Sequence, residues 1–294
     1  ERKEQLSLIK TGKAQVVIGT HALFQENVSF DNLALVIIDE QHKFGVHQRL
    51  ALAQKANMTP HQLVMTATPI PRSLTMSAYA DLDTSIIDEL PPGRQKIETV
   101  ALSNLRRDEL ITKIKKNSQE GRQIYWVCTL IEESEALRAE SAEKTFTYLS
   151  NNLEDEKVVM IHGRLNKTEK ETIMKDFSNG KIDLLVATTV IEVGVNVPNA
   201  SLMVVENAER LGLAQLHQLR GRVGRGAEKS VCILMYQSPL SETAKQRLDI
   251  LRQSNDGFMI AQKDLELRGP GEILGTQQTG ITSMKIANIV RDAY

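Results

Sequence analysis

A run of apolar residues that ends in two adjacent carboxylates limits the folds open to this chain more than any other feature. Residues 35–46 read LVIIDEQHKFGV, so leucine and β-branched side chains lead directly into Asp39 and Glu40. Such a run is typical of a strand buried on both faces of a parallel sheet. Open α/β sheets bind ligands at the carboxyl ends of their strands. The stretch therefore predicts an α/β fold with a functional site at residues 39–40.

Adjacent carboxylates have a specific use in the hydrolysis of nucleoside triphosphates. One can hold the Mg²⁺ of the nucleotide, and the other can orient the water that attacks the γ-phosphate. An acidic pair by itself is more often solvated surface. The apolar run before the pair, and Gln41 and His42 after it, favour the catalytic interpretation.

Arginines and glycines are interspersed in the stretch 206–226. Three of its arginines lie close together among the glycines: Arg220, Arg222 and Arg225. Arginines three positions apart near a helix end can point the same way and contact a γ-phosphate as arginine fingers. A basic nucleic-acid patch or a solvated face is the alternative. Because Asp39 and Arg222 are separated by more than half of the chain, their combination predicts two lobes with a nucleotide between them.

Short apolar runs alternate with helical stretches along most of the chain. Strands are predicted at 16–20, 33–40, 61–68, 123–128, 157–162, 182–187, 201–206 and 231–235. Helices are predicted at 1–11, 47–56, 107–120 and 131–150, and from a capping box at Thr168–Glu171 to Asn179. This alternation implies mostly parallel sheets with right-handed crossovers.

Two changes in composition indicate domain boundaries. Residues 89–94 contain two prolines and a glycine, which extend neither a helix nor a strand. From Pro239 an amphipathic helical stretch, 241–263, is followed by a glycine-rich loop. We expect an α/β fold with tandem RecA-like parallel-sheet lobes, the first lobe truncated, plus a C-terminal helical hairpin and loop. The predicted domains are 1–93 (C-terminal part of the first lobe), 94–237 (second lobe) and 238–294 (hairpin and loop).

The composition excludes a global electrostatic field as the means of binding DNA. Lys and Arg number 36 against 37 Asp and Glu, so DNA contacts must come from local patches. Aromatic residues make up only 4%, which argues against recognition by base stacking. Cys128 and Cys232 lie in apolar runs and are predicted to be buried free thiols in a reducing cytoplasm. No apolar stretch approaches 18 residues and no signal peptide is visible, so no membrane association is expected.

Several strings together resemble a known family. They are GTHAL (19–23), DEQHKFGV (39–46), TATPIPRSL (66–74), HGRL (162–165), ATTVIEVGVNVPNA (187–200), QLHQLRGRVGRG (215–226) and LELRGPGEILGTQQTG (265–280). In these strings the chain resembles the motor portion of superfamily 2 nucleic-acid helicases, most closely the RecG family of bacterial branched-DNA translocases. Transcription-repair coupling factors have a similar motor but typically read DEEQ where this chain reads DEQH, which favours RecG.

One expected motif is not in the sequence. No GxxxxGK[ST] phosphate loop occurs, and Gly12–Lys13 is followed by Ala14. The resembling family carries this loop and a wedge domain upstream of GTHAL, and the chain opens with Glu1. We therefore expect a C-terminal fragment of a longer protein, inactive alone. A first lobe cut partway would expose a sheet edge and promote self-association.

The resemblance implies a set of nucleotide-site residues: catalytic Asp39, Glu40, Gln41, His42, Arg222 and Arg225, and nucleotide-binding Gly194 and Gln218. Asp39 would bind Mg²⁺ as the metal ligand, and Glu40 would position the attacking water. The amide and imidazole that follow would sense the γ-phosphate. The two arginines would stabilise the transition state from the second lobe.

The resemblance also implies residues that contact DNA or transmit movement. The DNA-binding residues would be Gly19, Thr20, His21, His162, Gly163, Arg164, Thr188 and Thr189. Those for coupling and translocation would be Thr66, Thr68, Arg247, Arg268 and Gln278. Three positions depart from the family pattern, which commonly has arginine, aspartate and arginine there: Lys43, Asn196 and Gln277.

Together these features predict an enzyme with ATP and Mg²⁺ as cofactors. The parent protein would be an ATP-dependent helicase that translocates on double-stranded DNA and remodels stalled forks and Holliday junctions in recombination and repair. Its location would be the bacterial cytoplasm, in association with the nucleoid. The alternatives are the motor of a transcription-repair coupling factor, which would bind RNA polymerase through a separate domain, and a catalytically silent DNA-binding module.

Overall fold

The computed structural model describes residues 2–40, 55–56, 58–66, 83–91, 94–129, 135–188, 197–226 and 228–268. The chain forms two compact units, Glu1–Pro69 and Ile70–Tyr294. The lobe boundary predicted after residue 93 stays a prediction. Within the described ranges, no helix is both long enough and apolar enough to cross a membrane.

The first unit contains one helix and a pair of parallel strands in its described part. Helix α1 (Arg2–Lys10) ends just before Gly12, whose φ of +70° is a conformation that glycine adopts without strain. Strand β1 (Leu35–Ile38) pairs with β2 (His61–Val64) in parallel, with Ile38 opposite Val64. One face of β1 is buried against Phe24, Phe30 and Leu33.

Two predictions for this unit were wrong. The predicted strand at 16–20 is not a strand, and Val16 and Ile18 are exposed at 81% and 94%. Strand β1 is buried on one face only, because Leu35 and Ile37 on the other face are exposed at 53% and 56%. Among the described residues, β2 is the only strand that pairs with β1. This small sheet therefore leaves two apolar side chains of the run, Leu35 and Ile37, exposed to solvent.

The second unit is built on a parallel sheet. Its described strands are β3 (Ile97–Ser103), β4 (Gln123–Val127), β5 (Val158–Ile161), β6 (Leu184–Ala187), β7 (Ala200–Val205) and β8 (Ser230–Tyr236). They lie in the order β3-β8-β7-β4-β6-β5. Every pair is parallel, which confirms the predicted sheet type. Strands β4, β6 and β7 are buried along their whole length, as expected when both faces of a parallel sheet are covered.

Helices cover the two faces of this sheet and form two separate cores. The helices are α2 (Arg107–Gln119), α3 (Glu135–Asn152), α4 (Lys167–Ser178), α5 (Leu213–Arg220), α6 (Glu242–Gln253) and α7 (Gly257–Arg268). Residues of α2 and α3 pack around Trp126 on one face. Residues of α4 to α7 pack around Tyr125 on the other face. Burial of each large apolar side chain contributes roughly 1.5–3 kcal/mol.

The boundaries of several elements differ from the sequence-based prediction. Strand β3 was missed altogether. The capping box of α4 was placed two residues too late, because Asn166 is the N-cap: its side chain accepts from the Glu169 amide, and Glu169 accepts from the Asn166 amide. The structure divides the predicted helical stretch 241–263 into two helices, α6 and α7, with residues 254–256 between them. The predicted helix at 47–56 and the loop after Arg268 lie outside the described residues.

Candidate functional site

The predicted carboxylate pair follows directly after β1. Asp39 is exposed, and its Oδ1 accepts a hydrogen bond of 2.9 Å from the Glu40 amide. Glu40 has a φ of +53°, a left-handed conformation that costs a residue with a Cβ about 1–2 kcal/mol. Backbone strain of this kind concentrates at functional sites. Local strain and a solvent-accessible carboxylate thus coincide at the position that the sequence singled out.

Thr66 lies at the same edge of this small sheet. The Met65 amide donates to the carbonyl of Ile38 at 2.7 Å, so the residues after β2 run beside those after β1. The predicted coupling residue Thr66 is exposed there. Gln41, His42 and Thr68 lie outside the described residues.

The other predicted positions of the first unit lie together in a short segment. Gly19 and Thr20 are exposed and lead into a 3₁₀ turn, His21–Phe24. A Cβ on Gly19 would lie 2.7 Å from the Leu23 side chain, so the backbone passes close to its own turn. The segment exposes backbone and side-chain donors to solvent.

A glycine-rich turn after α5 carries Arg222 and Arg225. Arg94 donates to the Gly221 carbonyl at 3.2 Å, and Arg225 Nε donates to the same oxygen at 3.4 Å. Gly224 has a φ of +77°, and a Cβ there would lie 2.9 Å from Ile97 Cγ1. The turn is therefore packed closely onto the start of β3.

The positive charges of Arg222 and Arg225 affect the pKa values of neighbouring side chains. Arg225 and burial both lower the pKa of Arg94, with burial the larger cause. Burial raises the pKa of Tyr125 to about 12, although Arg225 and Arg222 oppose that shift. Both predicted finger arginines thus lie near the end of the sheet, and Arg225 is exposed. Gln218 is half-buried on α5, whereas Gly194 lies outside the described residues.

Arg220, the third arginine of the motif, is a structural residue. It is only 2% exposed and donates to Thr99 Oγ1 at 3.3 Å, to the Leu251 carbonyl at 2.9 Å and to the Ser254 carbonyl at 2.8 Å. Its second terminal nitrogen lies 3.0 Å from His217 Nδ1. This guanidinium therefore joins the end of α5 to β3 and to the end of α6. Its spacing in the sequence gave no sign of this role.

His217 is the neutral partner in this arrangement. Burial, together with the positive charges of Arg220 and Arg94, lowers its pKa to about 4 against an opposing effect of Asp256. A neutral imidazole can accept a hydrogen bond from the guanidinium through Nδ1. The pair is consistent only with an uncharged histidine at neutral pH.

Several predicted DNA-binding residues come together at the carboxyl edge of the large sheet. Strands β5 and β6 are paired so that Ile161 lies opposite Ala187, which places His162 beside Thr188. His162 Nδ1 and Thr188 Oγ1 are buried and have no hydrogen-bond partner among the described residues. Arg164 is exposed nearby in the sequence, and the Gly163 carbonyl accepts from Lys170 at 2.7 Å. Thr189 lies outside the described residues.

Arg247 connects α6 to the segment that precedes α5. It donates to the Leu211 carbonyl at 2.9 Å and to the Glu209 carbonyl at 3.1 Å. The structure thus brings this predicted coupling residue to the arginine-bearing motif. Arg268 ends α7 and its side chain lies outside the described part, as does Gln278.

One buried ion pair at the same edge was missed from the sequence. Glu206 follows β7, is 6% exposed and pairs with Arg107. Thr145 donates to Glu206 at 3.4 Å, and the Arg107 guanidinium lies 5.6 Å from the Tyr148 ring centroid. The carboxylate directly after an apolar strand, the pattern that identified Asp39, would have indicated it. Cys128 and Cys232 are buried free thiols, as predicted.

Comparison with known proteins places these sites in a family. The model of the DEAD/DEAH box helicase family matches residues 1–77, and the helicase conserved C-terminal domain matches 106–227. The model described as ATP-dependent DNA helicase RecG, domain 3, C-terminal, matches 254–294. The ATP-dependent DNA helicase RecG of Escherichia coli strain K12 is 61% identical over 295 residues, which cover 99% of this chain and 43% of that protein. The chain belongs to the RecG family.

Further relatives agree with this assignment. RecG of Bacillus subtilis strain 168 is 48% identical over 292 residues, covering 99% of this chain and 42% of that protein. A solved structure of RecG bound to a three-way DNA junction has a TM-score of 0.73 and 43% identity, and covers 99% of this chain and 37% of that one. The chain spans less than half the length of the curated relatives it matches. The predicted RecA-like parallel-sheet fold and the preference for RecG over the coupling factor are confirmed.

Proposed function

We propose that the complete protein is an ATP-dependent DNA helicase that translocates on double-stranded DNA and remodels stalled forks and Holliday junctions in recombination and repair. The observation that carries this proposal is the 61% identity to a RecG helicase across 99% of the chain. The RecG structure with a three-way DNA junction supports branched DNA as the substrate. The bacterial cytoplasm, close to the nucleoid, is the location that such a substrate requires.

Asp39 and Glu40 form the hydrolytic half of the nucleotide site in this proposal. Mg²⁺ in nucleotide enzymes is bound by one or two carboxylates together with phosphates and waters, and the exposed Asp39 fits that requirement. When bound, Mg²⁺ neutralises charge on the phosphates. Glu40 accepts a hydrogen bond from the attacking water and so orients the water oxygen toward the γ-phosphate. Its left-handed backbone supports this role, because strain of this kind is retained where function requires it.

Arg222 and Arg225 act on the developing charge of the transferred phosphoryl group. Arginine fingers accelerate phosphoryl transfer by roughly 10³–10⁵-fold in other enzymes. The hydrogen bond from Arg94 to Gly221, and the close packing of Gly224 on Ile97, hold their turn in one shape. A fixed turn supports catalysis, because the cost of ordering the arginines is met before the nucleotide binds. Gln218 and Gly194 complete the nucleotide contacts.

The edge formed by His162, Gly163, Arg164 and Thr188 contacts the DNA backbone. A motor that moves along any sequence needs phosphate contacts, since base edges carry sequence information. The exposed guanidinium of Arg164 and the exposed backbone of Gly163 support this assignment, because arginine side chains and backbone amides are common donors to phosphate. Thr189 extends this edge, and Gly19, Thr20 and His21 provide the corresponding contacts from the first unit.

Arg247 transmits the state of the nucleotide site to the C-terminal hairpin. Its two hydrogen bonds reach the backbone at Glu209 and Leu211, just before α5 and the finger turn. Arg268 and Gln278 act further along the same route, and Thr66 and Thr68 couple the lobes. Gln41 and His42 sense the γ-phosphate.

The isolated 294-residue chain is proposed to be catalytically silent. The sequence contains no GxxxxGK[ST] motif, the loop whose backbone amides and lysine hold the phosphates in enzymes of this kind. The DNA-contacting edge is nevertheless present, so the second candidate function, a DNA-binding module, applies to the isolated chain.

Junction remodelling by the complete protein tests the proposal. A fluorescently labelled four-way junction and a linear duplex of equal length are incubated with protein and Mg²⁺-ATP, with the non-hydrolysable analogue as control. We expect the junction to be converted to its duplex products only with ATP. A protein that hydrolyses ATP equally with both DNAs and leaves the junction intact would contradict the proposal.

A further inference from the structure

Arg94 lies outside the arginine-rich motif but contacts the turn that carries the predicted fingers. It is the last residue of the proline-containing stretch 89–94, and its guanidinium donates to the Gly221 carbonyl at 3.2 Å. The backbone carbonyl of the next residue lies 3.5 Å from the position that a Cβ on Gly224 would take. The chain at Arg94 therefore lies against both glycines of the finger turn, residues 221–225.

Two arginines share the carbonyl of Gly221. Arg225 Nε donates to it at 3.4 Å, which is longer than the usual N–H···O distance of about 2.7–3.2 Å. The bond from Arg94, at 3.2 Å, is within that range. A carbonyl oxygen has two lone pairs and can accept both bonds. Arg225 thus has the weaker bond, and it can leave this oxygen without depriving it of a donor.

The charges at this turn favour the departure of Arg225. The guanidinium groups of Arg94 and Arg220 both affect the pKa of His217 on α5, and Arg94 also lies close enough to Arg225 for their charges to interact. The carboxyl end of a helix stabilises cations, yet like charges still repel one another. Arg94 is half-buried and Arg225 is exposed, so Arg225 is the group with room to move toward an anion.

We propose that Arg94 is a positioning residue for Arg225. When the γ-phosphate binds, Arg225 exchanges its long hydrogen bond to Gly221 for the phosphate oxygens, and Arg94 keeps that carbonyl hydrogen-bonded so that the turn retains its shape. The fixed positive charge of Arg94 also favours the outward position of Arg225. Arg94 acts only through Arg225 and has no contact with the nucleotide. This inference rests on the proposed function, in which Arg225 is an arginine finger.

Single-turnover ATP hydrolysis by the complete protein with four-way junction DNA tests the inference. Arg94→Met is expected to lower the maximal rate constant by about 10–10²-fold, because a small displacement of a catalytic group has an effect of that size. The apparent Kd for ATP should change by less than about twofold, since the lost interaction is made in the transition state. In an Arg225→Ala background the same substitution should lower the rate constant by less than about twofold, because residues that act through one another are not additive.

Two further variants separate positioning from folding. Arg94→Lys retains a charged donor without the planar fork, so its loss of rate should be smaller than that of Arg94→Met and should also depend on Arg225. It carries the same comparison if methionine lowers the melting temperature. Arg122→Met is the matched control, because Arg122 is also half-buried but lies just before β4 and pairs with Glu120 at 3.5 Å. It should hydrolyse ATP at the wild-type rate.

The outcomes distinguish this inference from the proposed function. Undiminished hydrolysis by Arg225→Ala would remove the finger assignment and the inference with it. A large loss with Arg225→Ala, combined with wild-type rates for both Arg94 variants, would overturn the inference alone. Equal losses from the Arg94 substitutions with and without Arg225 would also overturn it, since a side chain that only stabilises the fold would act in both backgrounds.

Discussion

Replacing Arg220 by methionine tests whether the buried guanidinium holds the second unit together. The side chain is 2% exposed and donates to Thr99 and to the carbonyls of Leu251 and Ser254, with a further contact to His217. Methionine fills a similar volume but leaves these acceptors without a donor. The loss of hydrogen bonds from a charged donor costs about 1.5–3 kcal/mol each.

The expected net effect is smaller than the sum of those bonds. Burial of a guanidinium itself costs several kcal/mol, and methionine removes that cost. We therefore expect the free energy of unfolding to fall by about 3 kcal/mol. For a domain of about 150–250 residues, each kcal/mol lowers the melting temperature by roughly 2–4 °C, which predicts a shift of about 6–12 °C.

Differential scanning calorimetry measures this shift, with Arg252→Met as the matched control. Arg252 lies on α6, the helix whose end Arg220 contacts, but its side chain is 51% exposed and forms an i,i+3 pair with Asp249 at 3.0 Å. An exposed pair contributes at most about 1 kcal/mol, so the control should melt within about 4 °C of the wild type. Equal melting temperatures for the Arg220 and Arg252 variants would refute the structural role of Arg220.

Three further predictions follow from individual contacts. Gly224→Ala should lower the free energy of unfolding by about 1–3 kcal/mol more than Gly180→Ala, because both have positive φ but only Gly224 would place a Cβ 2.9 Å from Ile97; equal chemical-denaturation midpoints would contradict this. Because the pKa of His217 is lowered to about 4 in the folded state, the unfolded state binds the proton first, so stability is lost as pH falls from about 6.5 toward 4. His217→Gln should remove that part of the pH dependence of the melting temperature, and an unchanged profile would count against a neutral buried imidazole. The isolated chain should self-associate through the exposed β1 face, so Leu35→Lys with Ile37→Lys should lower the light-scattering mass, whereas Leu105→Lys, at a residue 92% exposed in the other unit, should not; a monomeric wild type at high concentration would contradict this.

Local sequence patterns predicted the interior of the large sheet well. Runs such as QIYWVC, with β-branched and aromatic residues, and DLLVA, with leucine and valine, are short and apolar, and they form β4 and β6, buried on both faces. The edge strand β3 was missed, because its sequence, IETVALS, mixes apolar residues with a charged and two hydroxyl side chains. Among the strands that the structure describes, it pairs with β8 alone and lies at the edge of the sheet.

Roles that depend on distant partners could not be predicted. The motif QLRGRVGRG gives equal weight to three arginines, yet Arg220 is buried and Arg225 is exposed. The difference comes from acceptors 31, 34 and 121 positions away in the sequence. Backbone carbonyls provide two of these acceptors. Every residue has a backbone carbonyl, so the sequence does not indicate which ones accept from Arg220. The pattern at Asp39, in contrast, is local, and its position after β1 was predicted correctly.

DNA-stimulated ATP hydrolysis by the complete protein, with Glu40→Gln beside Glu26→Gln, tests the central claim most directly. Glu26 is an exposed carboxylate of the same unit and provides the matched control. If Glu40 orients the attacking water, Glu40→Gln should lower kcat by about 10²–10⁴-fold while KM for ATP changes little, and Glu26→Gln should behave as the wild type. Wild-type turnover by Glu40→Gln in the presence of junction DNA would contradict the account.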